Sequence, residues 1–178
     1  MKEDHFSLLF GVRRSIRYHV RRRQFFDQLN RSANILTALS GSATIITLLS
    51  SMGKEFTILF AALVAIFSTF DLVFNTAQSA RLHQDLARRF IQLEKKCLND
   101  KSSDIDDLIA ERLDIESDEP PPLRVLDSIC HNELLRAMGY GPDEGDYVKI
   151  GFFQRLFSPF FDFKVHNIVK VGSKTHDL

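Results

Sequence analysis

Charged residues stop at Arg31 and do not return until Lys54, which leaves residues 32–53 as 22 consecutive uncharged positions. A helix of that length extends about 33 Å, against about 30 Å of hydrocarbon in a bilayer. After Lys54 and Glu55 the segment FTILFAALVAIFSTF, residues 56–70, is uncharged for 15 positions, and beyond Asp71 no charge appears before Arg81. The pattern predicts two membrane-spanning helices, over 32–53 and 56–80. Only SMGKE separates them, with Gly53 a natural terminator, so they are expected to run antiparallel as a hairpin.

Helical periodicity continues on both sides. Phe6, Leu9, Phe10, Ile16, Val20 and Phe26 recur at roughly helical spacing, while Arg13, Arg17 and Arg21 fall on another face, which predicts a basic amphipathic helix over 1–31. Leu82, Leu86, Phe90 or Ile91, Leu93 and Cys97 keep the period after the second span, and no Gly or Pro intervenes, so the second span is expected to continue as a stalk over 81–99. Helices are predicted over 103–140. Ser103 is the expected N-cap of an acidic helix with Ile105, Leu108, Ile109 and Leu113 as its stripe. Pro120, Pro121 and Pro122 separate it from a helix over 123–138 that presents Leu126, Ile129, Cys130 and Leu134 and ends at Gly139. No strand is required. The predicted fold is all-α: a two-transmembrane hairpin, long cytoplasmic helical extensions and a small cytoplasmic bundle, with one domain over 1–165 and a tail over 166–178.

Composition adds little until charge is placed along the chain. The 23 basic residues balance 23 acidic ones, yet residues 1–31 hold eight Lys or Arg against three acids, and residues 102–120 hold eight acids against one Arg. Basic clusters precede the first span and follow the second (Arg81, Arg88, Arg89, Lys95, Lys96), so both termini are expected on the cytoplasmic side. A secretory signal is not expected, since the apolar stretch begins only after Arg31 and is longer than the apolar core of such a signal. A soluble bundle with a buried hairpin is the competing reading, because the first span carries nine polar side chains and two glycines.

Candidate chemistry is sparse. Ser68, Asp71, Asn75 and Gln78 stand at i, i+3, i+7 and i+10, which places four polar groups on one face of a continuous second span. Intramembrane acids usually face a bundle interior or water, so this stripe is the candidate pore lining, with the alternative that Asp71 sits at the cytoplasmic boundary. Arg13, Arg17, Arg21, Arg22 and Arg23 are candidate topology and anionic-lipid contacts in preference to a nucleic-acid patch. The pairs Thr37-x-x-x-Gly41 and Ser40-x-x-x-Thr44, and the series Ala61, Ala65, Thr69, permit close helix packing. The Phe-rich segment GFFQRLFSPFFDF suits a membrane interface. Cys97 and Cys130 fit no disulfide or metal spacing, the six histidines are dispersed, and Asp104, Asp106 and Asp107 lack the remaining positions of a calcium loop. No nucleophile elbow or phosphate loop is present, so neither catalysis nor a cofactor is expected.

A basic helix, a two-span hairpin, a stalk and the segment DEPPPLRVLDSICHNELLRAMG, in that order, resemble the SLATT family of two-transmembrane effector domains associated with SMODS nucleotidyltransferases and SLOG domains. RYHVRRRQFFDQLN, STFDLVFN and DEPPPLRVLDSICHNEL carry the resemblance over residues 5–165. It implies a prokaryotic inner-membrane effector of antiphage conflict that homo-oligomerises into a pore. With no appended nucleotide synthase, sensor or nuclease domain, the trigger is expected from a separate sensor protein, a nucleotide signal or the chain's own bundle. Asn132 and Glu133, in the family-like segment, are expected to bridge helices or bind a regulator. The alternative to a pore is a membrane-anchored scaffold or sensor that binds a cytoplasmic partner.

Overall fold

The computed structural model describes residues 2–99, 104–142 and 146–170. They form seven α-helices: α1 Lys2–Ser40, α2 Ala43–Met52, α3 Lys54–Phe74, α4 Thr76–Asn99, α5 Ile105–Ser117, α6 Arg124–Ala137 and α7 Phe152–Phe157. A single 3-10 turn at Val165–Asn167 and one antiparallel ladder, β1 Val148–Lys149 with β2 Val169–Lys170, complete them. The helical class stands as expected, and the two-residue ladder is an addition to it.

The chain divides into two compact units where one domain was expected: Met1–Arg21 with Gln84–Leu178, and Arg22–His83. The first unit is a helical bundle. Leu8 and Val12 of α1, Leu86, Phe90, Leu93 and Cys97 of α4, and Leu108 and Ile115 of α5 are buried together, with Leu9, Ile16 and Ile105 packed against them. Of the expected stripe on α1, Leu9 and Ile16 pack against this core and Phe26 is buried, and the structure adds Leu8 and Val12. Leu8, Val12 and His19 are buried, whereas Phe6 is exposed. On α5 the buried positions are Leu108 and Ile115, with Leu113 exposed.

Three end devices fix the bundle. Asp104 caps α5, accepting from Asp106 N at 3.3 Å, with Asp106 and Asp107 in the dipole-favoured first turn; the expected cap, Ser103, lies outside the described residues. The α6 amides left bare after the triple proline are taken by one carboxylate: Arg124 N and Val125 N donate to Asp162 Oδ2 and Oδ1, each at 3.0 Å. Leu123 N donates to the Tyr18 hydroxyl at 3.0 Å, which ties the proline segment to α1. Tyr18 packs with Leu126 and Cys130.

The second unit holds the apolar run, and both predicted spans are broken within it. The helix that begins in the basic segment runs unbroken to Ser40, so residues 32–53 do not form one helix. Gly41 and Ser42 interrupt them, and the axes of Asp4–Ser40 and Ile45–Met52 meet at 79°. Gly lacks the Cβ that stiffens a helix, and Ser42 takes an extended conformation, φ −82° and ψ 117°. The second span and stalk are likewise not continuous. α3 stops at Phe74, Asn75 adopts the left-handed conformation at φ 43° and ψ 59°, and α4 starts at Thr76. Asn is among the few non-glycine residues that tolerate this region, and here it breaks a helix that was expected to continue because no Gly or Pro intervenes. Gly53, at φ 119°, turns the chain between α2 and α3 where expected.

Replacing Asp162 by Ala leaves two α6 amides without their acceptor and is expected to lower the stability of the detergent-solubilised protein by about 1–2 kcal/mol in chemical denaturation. Burial pushes the Cys130 thiol up to about 12 and raises that of Cys97. The thiolate is the reactive form, so at pH 8 neither cysteine is expected to take iodoacetamide in the folded protein, and both are expected to react after denaturation.

Candidate functional site

Three regions carry the residues singled out in the sequence: the apolar hairpin, the polar positions of the second span and the arginines of α1. In the hairpin, Thr57, Phe60, Val64 and Phe67 are half-buried at helical spacing and mark one face of α3. Thr57, Phe60 and Val64 of this face and the small residues Ala61 and Ala65 border a cavity of about 340 Å³ shared with Ser40, Ile46 and Leu49. The rest of the α3 circumference carries exposed apolar side chains, among them Ile58 at 68%, Leu59, Leu63, Ile66 at 53% and Leu72 at 83%. On α2, Ile46, Leu48 and Met52 are exposed too. Hydroxyls that would be stranded in an apolar setting fold back on their own helix: Ser50 donates to Ile46 O at 2.8 Å and Thr69 to Ala65 O at 2.8 Å.

Among the described residues no single helix is long and apolar enough to cross a membrane, whereas the bent pair Asp4–Ser40 with Ile45–Met52 passes by length and composition when taken together. In α3 the uncharged described stretch is residues 56–69, about 21 Å of helix.

The polar stripe does not form as one face. Ser68 is exposed on α3, and Gln78 is exposed on α4, beyond the break. Asn75 lies at the break itself and donates from Nδ2 to Gln78 Oε1 at 2.6 Å. A left-handed residue resets the helical phase, so the i to i+10 relation drawn across it is lost. The structure brings Asn75 and Gln78 together, and the Asp71 side chain lies outside the described residues.

Arg13, Arg21 and Arg23 each meet a carboxylate. Arg13 Nε lies 2.7 Å from Glu94 Oε1, Arg21 Nη2 lies 2.6 Å from Glu133 Oε1, and Arg23 Nε lies 3.4 Å from Asp27 Oδ2. Arg22 stacks its guanidinium 4.5 Å over the Phe26 ring. Arg17 is exposed beside Arg13 and Leu134. Arg13 and Arg21 thus tie α1 to α4 and α6, and Glu133 bridges helices as expected.

Sequence reasoning missed a basin in the first unit. Arg21, Arg136, Lys149 and Arg155 converge with Glu133, Asn132 and Tyr147 around a cavity of about 440 Å³ floored by Ile129, Val148 and Ile150. Two buried amides hold its walls. Asn132 donates to Val148 O at 2.7 Å and accepts from Val148 N at 2.9 Å, pairing with β1 as a neighbouring strand would. Gln154 accepts from Gly151 N at 2.8 Å and donates to Lys164 O at 2.9 Å and Phe163 O at 3.3 Å. Arg136 Nη2 donates to the Tyr147 hydroxyl at 2.9 Å. The basic residues are scattered over 134 positions of sequence, and only their shared polar content signalled them.

Three of the histidines, His19, His83 and His131, pack against aromatic rings. His19 is buried, stacks on Phe90 at 5.5 Å and meets Glu119 Oε1 at 2.9 Å; His83 stacks on Phe26 at 5.7 Å. His131 lies edge-on to Phe10 and donates to Asp146 O, and burial holds its imidazole below the usual value. Among the described residues no group of His, Cys, Asp and Glu is arranged to hold a metal ion.

Asn132→Leu is expected to leave the Val148 N–H and C=O unpaired and to cost about 1–3 kcal/mol, read as a lower denaturation midpoint together with faster amide exchange at Val148. No family model, curated protein or solved structure matches the chain.

Proposed function

We propose that the chain is a membrane effector. In this reading the hairpin of α2 and α3, with the end of α1, is embedded in a bilayer, and copies assemble to permeabilise it. The observation that carries the reading is the belt of exposed apolar side chains around α3 and on α2. Soluble monomers rarely expose contiguous apolar patches beyond a few hundred Å², and a helix apolar around most of its circumference needs either a protein shell or lipid.

Length sets how the crossing is made. α3 is 21 residues long, about 31 Å through to Phe74 by length alone, a length that takes in Lys54 and Glu55 at one end and Asp71 near the other. α2, at ten residues, extends only about 15 Å and needs the last turns of α1 to complete the other passage. The first passage is then a broken span, a form tolerated where protein or water lines the break. The flanking arginines and lysines support a topology with both termini in the cytoplasm, by the positive-inside rule. Two helices cannot enclose a water path, so a pore entails a homo-oligomer. Assignment to a prokaryotic inner membrane and to antiphage defence rests on the SLATT resemblance alone. A non-permeabilising anchor for a cytoplasmic partner is the second reading, favoured by the size of the bundle.

The purified protein reconstituted in liposomes is expected to release entrapped ions and to stay in the membrane through an alkaline carbonate wash. Ile58→Lys with Ile66→Lys places two charges on the exposed face, at about 2.5–3.5 kcal/mol each near a bilayer centre, and is expected to abolish retention. Retention without ion release would favour the anchor, and loss of the wild-type protein in the wash would overturn both membrane readings. Asp71→Ala is expected to change conductance while leaving insertion intact, measured in planar bilayers; unchanged conductance would remove Asp71 from the mechanism.

A further inference from the structure

We propose that the basin between α6, α7 and β1 binds the phosphate group of a small phosphorylated molecule. The argument begins with charge. The described lining residues supply four cations, Arg21, Arg136, Lys149 and Arg155, against one carboxylate, Glu133. Glu133 is engaged by Arg21 at 2.6 Å. Arg136 is held by a neutral hydroxyl, that of Tyr147, so its charge is oriented without being neutralised. Among the described residues no carboxylate pairs with Arg136, Lys149 or Arg155. Three like charges around one cavity repel one another, and an anion with several oxygens removes that repulsion. Guanidinium groups offer forked donors that match phosphate oxygens, and Lys149 adds a point charge.

The second line of argument is rigidity. Cations on an open surface are held by flexible stems, but here the backbone that carries them is fixed. Asn132 is buried and clasps Val148 through both of its amide groups, which sets the positions of Tyr147 and Lys149 on either side. Gln154 is buried and closes the start of α7 onto the chain at Phe163 and Lys164, which sets Arg155 beside it. Burying two amides has no packing advantage over apolar residues of the same volume, whereas holding a charged wall in place uses them fully.

The third is size. A cavity of about 440 Å³ exceeds what a bare phosphate fills and lies within the range of small-ligand pockets. Its floor of Ile129, Val148 and Ile150, with the Tyr147 ring, suits the apolar or aromatic part of the same molecule. The phosphate can come from a soluble metabolite or from a lipid headgroup, since Phe152, Phe153 and Leu156 on the same helix as Arg155 are exposed. The site is a property of the first unit and does not depend on the hairpin entering a membrane.

The test is calorimetric titration of the detergent-solubilised full chain with ATP, with inorganic pyrophosphate and with dihexanoyl phosphatidic acid, using dihexanoyl phosphatidylcholine as the zwitterionic control. Saturable binding is expected, weakened at least tenfold by Arg136→Gln with Arg155→Gln and unchanged by Arg88→Gln, an exposed arginine away from the basin. Helix content by circular dichroism, equal in all variants, separates lost binding from lost folding. Binding of ATP or pyrophosphate identifies a soluble ligand. Binding of phosphatidic acid alone identifies a headgroup. No saturable binding of any anion, or equal weakening by Arg88→Gln, overturns the proposal.

Discussion

The seam between α1 and α4 is the constraint on which the rest of the first unit depends. Val12 and Phe90 are fully buried there, and Leu8, Leu86, Leu93 and Cys97 extend the contact along both helices. α1 carries the chain into the apolar run and α4 carries it out, so the two helices must meet side by side for the segments 80 residues apart in sequence to share one core. The acidic helix α5 then lays Leu108 and Ile115 on the seam, and Arg13 with Glu94 closes its edge. Among the polar groups inside, His19 stacks flat on Phe90 while its Nε2 meets Glu119.

From that core outward, order is transmitted by side chains that stand in for backbone. Asp162 takes the two amides that open α6, Tyr18 takes the amide of Leu123, Asn132 pairs with Val148 as a strand would, and Gln154 closes α7. Each replaces a hydrogen bond that a regular helix or sheet would have supplied locally. The C-terminal third has short elements, of six, three and two residues, which cannot hold themselves by helix propagation or by a wide sheet. These four side chains account for why the chain is nonetheless ordered there, and they leave the cationic wall of the basin in a defined position.

The elements that periodicity and punctuation specify were legible. Gly53, the triple proline and Gly139 end helices where expected, and Leu126, Ile129, Cys130 and Leu134 are all buried on α6. The breaks at Gly41 and Asn75 were not, since a hydropathy count over 32–53 or 56–80 sees only the lack of charge and is blind to a single residue leaving the helical region. Gly41 beside Ser42 was a readable signal that length and apolarity outweighed. Asn75 was assigned to a polar stripe on the premise of a continuous helix, and its left-handed conformation removes that premise. The basin was illegible for a different reason: its cations come from α1, α6, β1 and α7, and only tertiary contacts such as Asn132 with Val148 bring them together.

The two units satisfy their apolar content in opposite ways, and this difference bears on function more directly than any single residue. The bundle buries one set of large side chains between α1, α4 and α5 and pairs several of its charges, while Phe152, Phe153 and Leu156 of α7 stay exposed. The hairpin has one cavity-lined face between α2 and α3 and leaves the remainder of α3 uncovered. In water that exposed belt would drive association, and in a bilayer it would cost nothing. The breaks fit the second environment under one condition, that their backbone groups be satisfied within the chain. Gly41 N donates to Thr37 O at 3.2 Å, Ser42 N to Leu39 O at 3.1 Å, and Ser79 N to Asn75 O at 3.0 Å, so the interruptions at both helices retain hydrogen bonds of their own. An apolar hairpin whose kinks keep internal partners can enter lipid without exposing these amides, which is the physical requirement that the membrane reading places on this chain.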